Sequence, residues 1–478
     1  MGKTELRDIL IVLPGIGGSV LTARDGMALW APTLEVGFRF LMRPGSALER
    51  LRLDGDDQVR DELDDGVRAT DIVPDLHLIP GLWKIDGYTG IAEMLADAFR
   101  IEKGSVHPDD PRVANYFEFP YDWRRDNRVA ARQLQRFVED RLHRWRTNTP
   151  FKDAKVVIVA HSMGGLVARY FLEVLGGHTL CKALVTIGTP HRGAVKAVDF
   201  LTGNKRLLFA ELTGVLRSFT SVYQLLPRYP VVAENGGYCR ITETTSDVPG
   251  IDRSRAQDGL AFHHEIETAV AGRTERGYEL IPIVGTWQPT LQSVTLANGR
   301  VTVAEATPTW TAFPEGEGDG TVPRVSAVPI EHSDAWLNTF VSERHASIQN
   351  HAGFLQDLQN RLIQSQVRTG HIRGNVAAVP APALSLRVED VYVHGTAIAL
   401  QATVKNVDPD DVELVRMKVT SATTNAVVFS GPCARVDGEW TAGLPPLPPD
   451  TYRVVVTAPI GVTAAIDPVH DVFVVVEA

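Results

Sequence analysis

The sequence predicts an α/β protein, a mostly parallel sheet covered by helices, followed by a small all-β domain. Three observations predict it. Runs 8–13, 155–160, 183–187 and 280–284 are apolar on both faces, as strands buried in the middle of a covered parallel sheet must be. Longer helical patterns stand between these runs. After about residue 370 the texture changes to short, often alternating strands separated by turn residues.

Taken in order, the first strand leads into Pro14 and glycines. The stretch 128–145 places Val129, Leu134, Phe137, Val138, Leu142 and Trp145 on one helical face. A second helix over 166–175 stops at Gly176-Gly177, a C-cap signal. Two long segments, 19–113 and 195–278, lack a clear strand–helix repeat and read as cap or lid insertions in a catalytic domain spanning 1–374. Within the second, residues 207–227 are too apolar for a solvated loop and read either as a lid over a greasy site or as a packed cap helix. Residues 375–384, NVAAVPAPAL, read as an Ala/Pro linker. Residues 385–478 read as a β-sandwich of immunoglobulin or fibronectin type III character. Residues 381–478 carry 6 Lys+Arg against 12 Asp+Glu, so −6 of the chain's −10 resides there.

At 478 residues two or three domains are expected. A net charge of −10 argues against nucleic acid as a partner. Cys181, Cys239 and Cys433 are widely spaced and odd in number, with no CxxC and no Cys/His cluster, so neither a disulfide framework nor a metal site is expected. The apolar run at 9–13 is too short for a signal-peptide core or a membrane span, and a cytoplasmic location is the expectation. No cofactor is expected. A GxGxxG turn after the first strand would need glycine where Val20 stands, and Gly2-Lys3-Thr4 lacks the upstream glycine and strand of a P-loop.

The most informative segment is 155–169, KVVIVAHSMGGLVAR. A buried strand, a turn of small residues carrying Ser162 and an immediate helix make a nucleophile elbow, the strand-to-helix turn of the α/β-hydrolase fold. Small residues are needed two before and two after the serine, and here they are Ala160 and Gly164, an AxSxG variant. The competing reading is that Ser162 merely caps the helix. The loop 13–20 after the first strand is positioned to offer an oxyanion donor, with the backbone N–H groups of Ile16 and Met163 as candidates. On this fold the acid and base follow the serine in the order Ser, Asp, His. Asp319 in GDGTVP (318–323) and His345 in SERHASI (342–348) meet that order. His332 and His351 are the neighbouring alternatives as base, with His351 read as a surface or capping residue. His161 is expected to point the wrong way, His191 follows its strand too early, and His263-His264 reads as surface.

Together PGIGGSVL (14–21), FPYDWRRD (119–126), AHSMGGLVARY (160–170), GDGTVP and ERHASI resemble the lecithin:cholesterol acyltransferase family of α/β-hydrolases. The resemblance covers about residues 8–365 and not the sandwich; AHSMGG and TIGTPHRG (186–193) also occur in many lipases. It implies a triad of Ser162, Asp319 and His345. It implies scaffolding beside the pocket for the YDWR segment, and an acyl-contacting role for Trp30, so that Trp30, Tyr121 and Trp123 are the candidate pocket residues. The chain departs from secreted relatives in having no cysteine before Cys181, hence no lid disulfide. The implied activity is that of a serine acyl-hydrolase (lipase or phospholipase) or O-acyltransferase on lipid-type esters. A lipid or other acyl ester is the expected partner, with transient contact at a membrane surface. The alternative is a catalytically silent hydrolase-like scaffold whose sandwich binds a protein or glycan. As a separate binding module, the sandwich would be dispensable for esterase activity.

Overall fold

The computed structural model describes the chain apart from residues 1, 32–48, 75, 80–82, 108, 204–209, 276, 312–316, 333–338, 368–381, 408–411, 437, 459–465 and 478. Residues 375–381 of the linker therefore fall outside the described residues, as does the first part of the apolar 207–227 segment, while the last linker residues, Ala383 and Leu384, begin the first strand of the C-terminal sheets.

Six parallel strands form the central sheet: β1 (Ile9–Leu13), β2 (Tyr116–Glu118), β3 (Val156–His161), β4 (Cys181–Ile187), β5 (Glu279–Gly285) and β6 (Thr339–Val341), in the spatial order β6-β5-β4-β3-β1-β2. Why these runs are apolar throughout is plain from where alternate side chains go. Ile9, Ile11 and Leu13 of β1, with Val156, Ile158 and Ala160 of β3, enter one core with Leu134, Val138 and Leu166. Leu10, Val12, Val157 and Val159 enter a second core on the opposite face, with Ile91, Leu95, Phe354 and Leu358. Helices α1 (Asn127–Asn148) and α2 (Met163–Glu173) cover the first face. The second is covered by the helix Thr89–Ala98, packed against the long helix Ala352–Val367. The fold is an α/β-hydrolase sheet with antiparallel all-β sheets after it.

The described parts of the two expected insertions are structured. Residues after β1 form a three-stranded antiparallel sheet (Ser19–Ala23, Ala28–Trp30, Val67–Ile72), and Thr89–Ala98 belongs to the sheet-covering layer rather than to a cap. In the second segment, Val215, Leu216, Phe219, Val222 and Tyr223 are buried in the main core, so the described part of 207–227 is packed. The long helix Arg253–Ala271 stacks Phe262 on Tyr170 of α2 at 5.4 Å. His263, expected at the surface, is buried there and its Nε2 donates to the Gln224 carbonyl at 2.8 Å, because it lies on the inward face beside Phe262; His264 is exposed.

FPYDWRRD holds the insertions to the sheet. Arg124, with no exposed surface, pairs with Asp122 at 2.6 Å and Asp65 at 2.7 Å and donates to the Leu51 carbonyl. Arg125 binds Asp56 and the carbonyls of Asp57, Arg60 and Asp61. Asp126 caps α1 by accepting from Arg128 N.

The C-terminal residues form two facing sheets. One contains Ala383–Arg387, Ile398–Lys405, Glu439–Leu444 and Ala434–Val436; the other contains Val391–Val393, Val469–Val476, Asp450–Thr457, Arg416–Ser421 and Val427–Pro432. Their pairings are antiparallel except Val391–Val393 with Val469–Val476. Trp440, Tyr452 and Phe473 fill the space between them.

Candidate active site

Ser162 follows β3 directly and precedes α2, at φ +51° and ψ −126°, a strained conformation for a residue with a side chain. The close approach that sustains it explains the small neighbours. A Cβ on Gly164 would lie 2.4 Å from the Pro14 carbonyl oxygen, and one on Gly15 would lie 2.8 Å from Ser162 Cβ. Ala160, fully buried in the β3 core contact, fits where the commoner glycine would stand.

The late loops bring the other two residues to it. His345 Nε2 lies 2.9 Å from Ser162 Oγ, and His345 Nδ1 lies 2.7 Å from Asp319 Oδ2. Asp319 is 1% exposed, and its other oxygen accepts from Thr321 N at 2.9 Å and Val322 N at 2.7 Å, which fixes the carboxylate plane. The Asp319 carbonyl also accepts from His345 N at 2.7 Å. Gly188, at the end of β4 with φ +54°, passes so near that a Cβ there would stand 2.9 Å from Asp319 Oδ2 and 3.0 Å from His345 Nδ1. Its place in TIGTPHRG was the available signal. His351 instead accepts from Phe354 N, in keeping with a capping role, though it is buried rather than at the surface. Neither it nor His332 lines the cavity at Ser162.

Tyr88 is a residue that no motif announced. Its hydroxyl accepts from Gly15 N at 2.9 Å, so its own proton goes to His161 Nδ1 at 3.0 Å. His161 Nε2 then donates to the His345 carbonyl at 3.1 Å. Burial holds His161 neutral by pushing its pKa well below 6.5, as this chain of bonds requires. The network ties the glycine loop, the elbow and the histidine loop together. It also consumes the Gly15 N–H, leaving Ile16 as the next donor in the loop, while Met163 begins α2 and so has no intrahelical acceptor for its N–H. Tyr88→Phe leaves two buried groups unpaired, and a loss of about 1–3 kcal/mol in urea unfolding is expected.

The cavity over Ser162 is about 90 Å³, with an apolar wall of Ile16, Pro190, Ala197, Phe200, Leu225 and Val322. Trp30, Tyr121 and Trp123 do not line it. Trp30 is fully buried, donates to the Gly17 carbonyl at 2.7 Å and meets Trp123 edge-on at 4.9 Å. Trp123 Nε1 donates to the Ser19 carbonyl and Tyr121 Oη to the Pro14 carbonyl. These three support the glycine loop from beneath, because each ring's polar atom finds a backbone carbonyl of that loop.

A titrating neighbour flanks the His345 loop. His470 Nδ1 donates to the fully buried Glu343 at 2.9 Å. Burial opposes the charge on His470, but its bond to Glu343 and the fields of Glu343 and Asp86 outweigh this, and its pKa is raised above 6.5; Arg453 faces Asp86 at 3.8 Å. A raised folded-state pKa gives stability that is complete below the unfolded value and lost as pH rises through the folded one. The melting-temperature gap between wild type and His470→Asn is therefore expected to be widest below pH 6.5 and to narrow as the pH rises above it.

The chain has the α/β-hydrolase fold, with a Ser–His–Asp hydrogen-bonded chain at the carboxyl ends of its strands. Residues 112–270 match the family model described as lecithin:cholesterol acyltransferase, a stretch that holds FPYDWRRD and Ser162 and ends before Asp319 and His345. Over that third of the chain the sequence is similar to the family that the motifs resemble, and the match supports an enzyme of esterase or acyltransferase type. An uncharacterized protein of Saccharomyces cerevisiae is 25% identical over 220 residues, 45% of this chain; the matched region spans only 28% of that relative's length. Among solved structures, the mature form of Bacillus licheniformis lipase BlEst2 matches 76% of this chain and 94% of its own at 13% identity and a TM-score of 0.32. Its propeptide form matches 99% and 94% at 12% and 0.32. The CARDB domain of a Pyrococcus furiosus protein matches 21% of this chain and 96% of its own at 14% and 0.16. The three cysteines are free, no described helix is long and apolar enough to cross a membrane, and no cluster of metal-ligating side chains occurs among the described residues.

Proposed function

We propose that this chain is a serine acyl-hydrolase or O-acyltransferase acting on lipid-type carboxylic esters through an acyl-enzyme on Ser162. The observation that carries the reading is the unbroken chain Ser162 Oγ–His345 Nε2, His345 Nδ1–Asp319 Oδ2, at 2.9 and 2.7 Å. His345 takes the Ser162 proton as Oγ bonds to the ester carbonyl carbon, and Asp319 holds the resulting imidazolium. The N–H groups of Ile16 and Met163 receive the oxyanion. As the tetrahedral intermediate collapses, the C–O bond to the alcohol breaks and His345 returns the proton to the leaving oxygen. Water or a second alcohol then attacks the acyl-enzyme by the same path in reverse, giving the acid or a new ester. The apolar wall from Ile16 to Val322 suits an acyl chain.

The test is reaction of the wild-type chain with a fluorophosphonate probe, followed by peptide mass spectrometry. A single adduct on Ser162 is expected. Absence of any adduct on folded protein would favour the silent-scaffold reading. Incubation with phospholipid and a long-chain alcohol separates the two chemistries, since new ester marks transfer and free fatty acid marks hydrolysis.

A further inference from the structure

The sandwich meets the rest of the chain at several places, among them Arg387 on Glu305 and Arg453 on Asp86, and one of them adjoins the catalytic histidine. Glu343 and Arg344 immediately precede His345, and both are bound by the sandwich. The Glu343 carboxylate, with no exposed surface, accepts three hydrogen bonds: Arg344 N at 2.8 Å within its own loop, and His470 N and Nδ1, each at 2.9 Å, from the sandwich strand Val469–Val476. Arg344 Nε pairs with the buried Asp471 at 3.0 Å, and its Nη1 donates to the Leu386 carbonyl at 3.1 Å. Ser342 Oγ donates to the Leu384 carbonyl at 2.9 Å. On the acid's side, the buried Gln288 pairs in register with Gly318, next to Asp319, and exchanges two bonds with strand Ala383–Arg387: its Nε2 donates to the Leu384 carbonyl at 3.0 Å, and it accepts from Leu386 N at 3.1 Å.

From this geometry we infer that the C-terminal sandwich is a positioning element of the active site, holding His345 and Asp319 in register with Ser162. The inference rests on the serine-hydrolase reading above. Two of the three donors to a fully buried carboxylate come from the sandwich, so the loop conformation that aims His345 is stable only while the sandwich is seated. The guanidinium of Arg344 is the link between the two halves. A Cβ on Gly320 would lie 2.9 Å from its Cζ, so the guanidinium packs directly on the turn carrying Asp319, and the sandwich's hold on Arg344 also braces that turn. Catalytic geometry tolerates displacements of only about 0.5 Å, and an error of about 1 Å costs on the order of 100-fold in rate. His470 thus acts through Glu343 from outside the cavity, and Asp471 acts through Arg344, with both Asp471 and Arg344 also bordering the cavity over Ser162. The dispensable-module expectation is replaced by an integral role.

The test uses the full-length chain with His470→Ala, Asp471→Ala and the conservative His470→Asn, whose amide restores a donor near the Nδ1 position. Turnover of p-nitrophenyl butyrate and the rate of fluorophosphonate labelling are read on variants that retain a cooperative melt. Both alanine variants are expected to lower kcat and labelling rate by ~10- to 100-fold, with KM within about twofold for His470→Ala, whose side chain lies outside the cavity, and His470→Asn to recover most of the loss. Should the alanine variants not fold, Arg344→Lys keeps the charge but cannot reach both Asp471 and Leu386, and carries the same expectation. Labelling at the wild-type rate in folded variants overturns the inference, as does a rate above wild type, which would make the sandwich an obstruction. Wild-type protein that fails to label sinks the serine-hydrolase reading instead, so the two failures are distinguishable.

Discussion

Ser162→Ala is expected to lower turnover of an activated ester by ~10⁶-fold, leaving only the background that binding and the oxyanion donors supply. The nucleophile, base and acid act as one unit. His345 Nε2 has its single described partner on this path in Ser162 Oγ, and Asp319 spends one oxygen on two backbone N–H groups and the other on His345. Removing one member therefore removes the function of all, and His345→Ala combined with Ser162→Ala is expected to cost no more than either alone. Steady-state assay of the two single variants and the double variant checks this. Multiplicative losses would mean that the two residues serve separate steps. His351→Ala is the control, since His351 accepts from Phe354 N and lies away from the serine; its rate is expected to stay near wild type.

Arg124→Ala is expected to have the largest effect on stability, about 3–5 kcal/mol in urea unfolding. The guanidinium has no exposed surface, and it is shared between Asp122 beside it in sequence and Asp65 in the first insertion, whose side chains are 15% and 22% exposed. Truncation strands two carboxylates and the Leu51 carbonyl together. Arg124→Lys is expected to recover only part of the loss, because a single ammonium cannot occupy the fork that reaches both acids and the carbonyl. Limited proteolysis supplies a second readout: cleavage within residues 49–72 is expected to accelerate in Arg124→Ala before the sheet itself unfolds. An unchanged unfolding midpoint would show that the insertion is held by other contacts.

Several features of the site were legible because their physical causes are local. The strand, the small-residue turn and the helix around Ser162 are contiguous, and the steric need for Gly164 arises from a backbone only a few residues of β1 away in space. The chain order of Ser162, Asp319 and His345 follows from the fold, so two glycine-flanked or loop residues could be nominated without seeing them meet. Trp30, Tyr121 and Trp123 went the other way. An aromatic in a motif beside a pocket reads the same whether its ring faces the acyl chain or the core, and only the partners of its polar atom decide. Tyr88 had no signal at all, since its two partners lie 73 residues away.

By itself, the sequence determined the parallel sheet, through runs that are apolar on both faces, and the nucleophile turn, through residue size at fixed spacing. It determined the change to β-structure after the catalytic region, through alternation and turn residues. Only the tertiary structure decided what lies against the catalytic histidine. The bonds from His470 to Glu343 and from Asp471 to Arg344 each span about 127 residues, and they leave no periodicity in the chain that makes them. A buried carboxylate looks like any other glutamate in sequence; its need for partners appears only once the fold has removed the water.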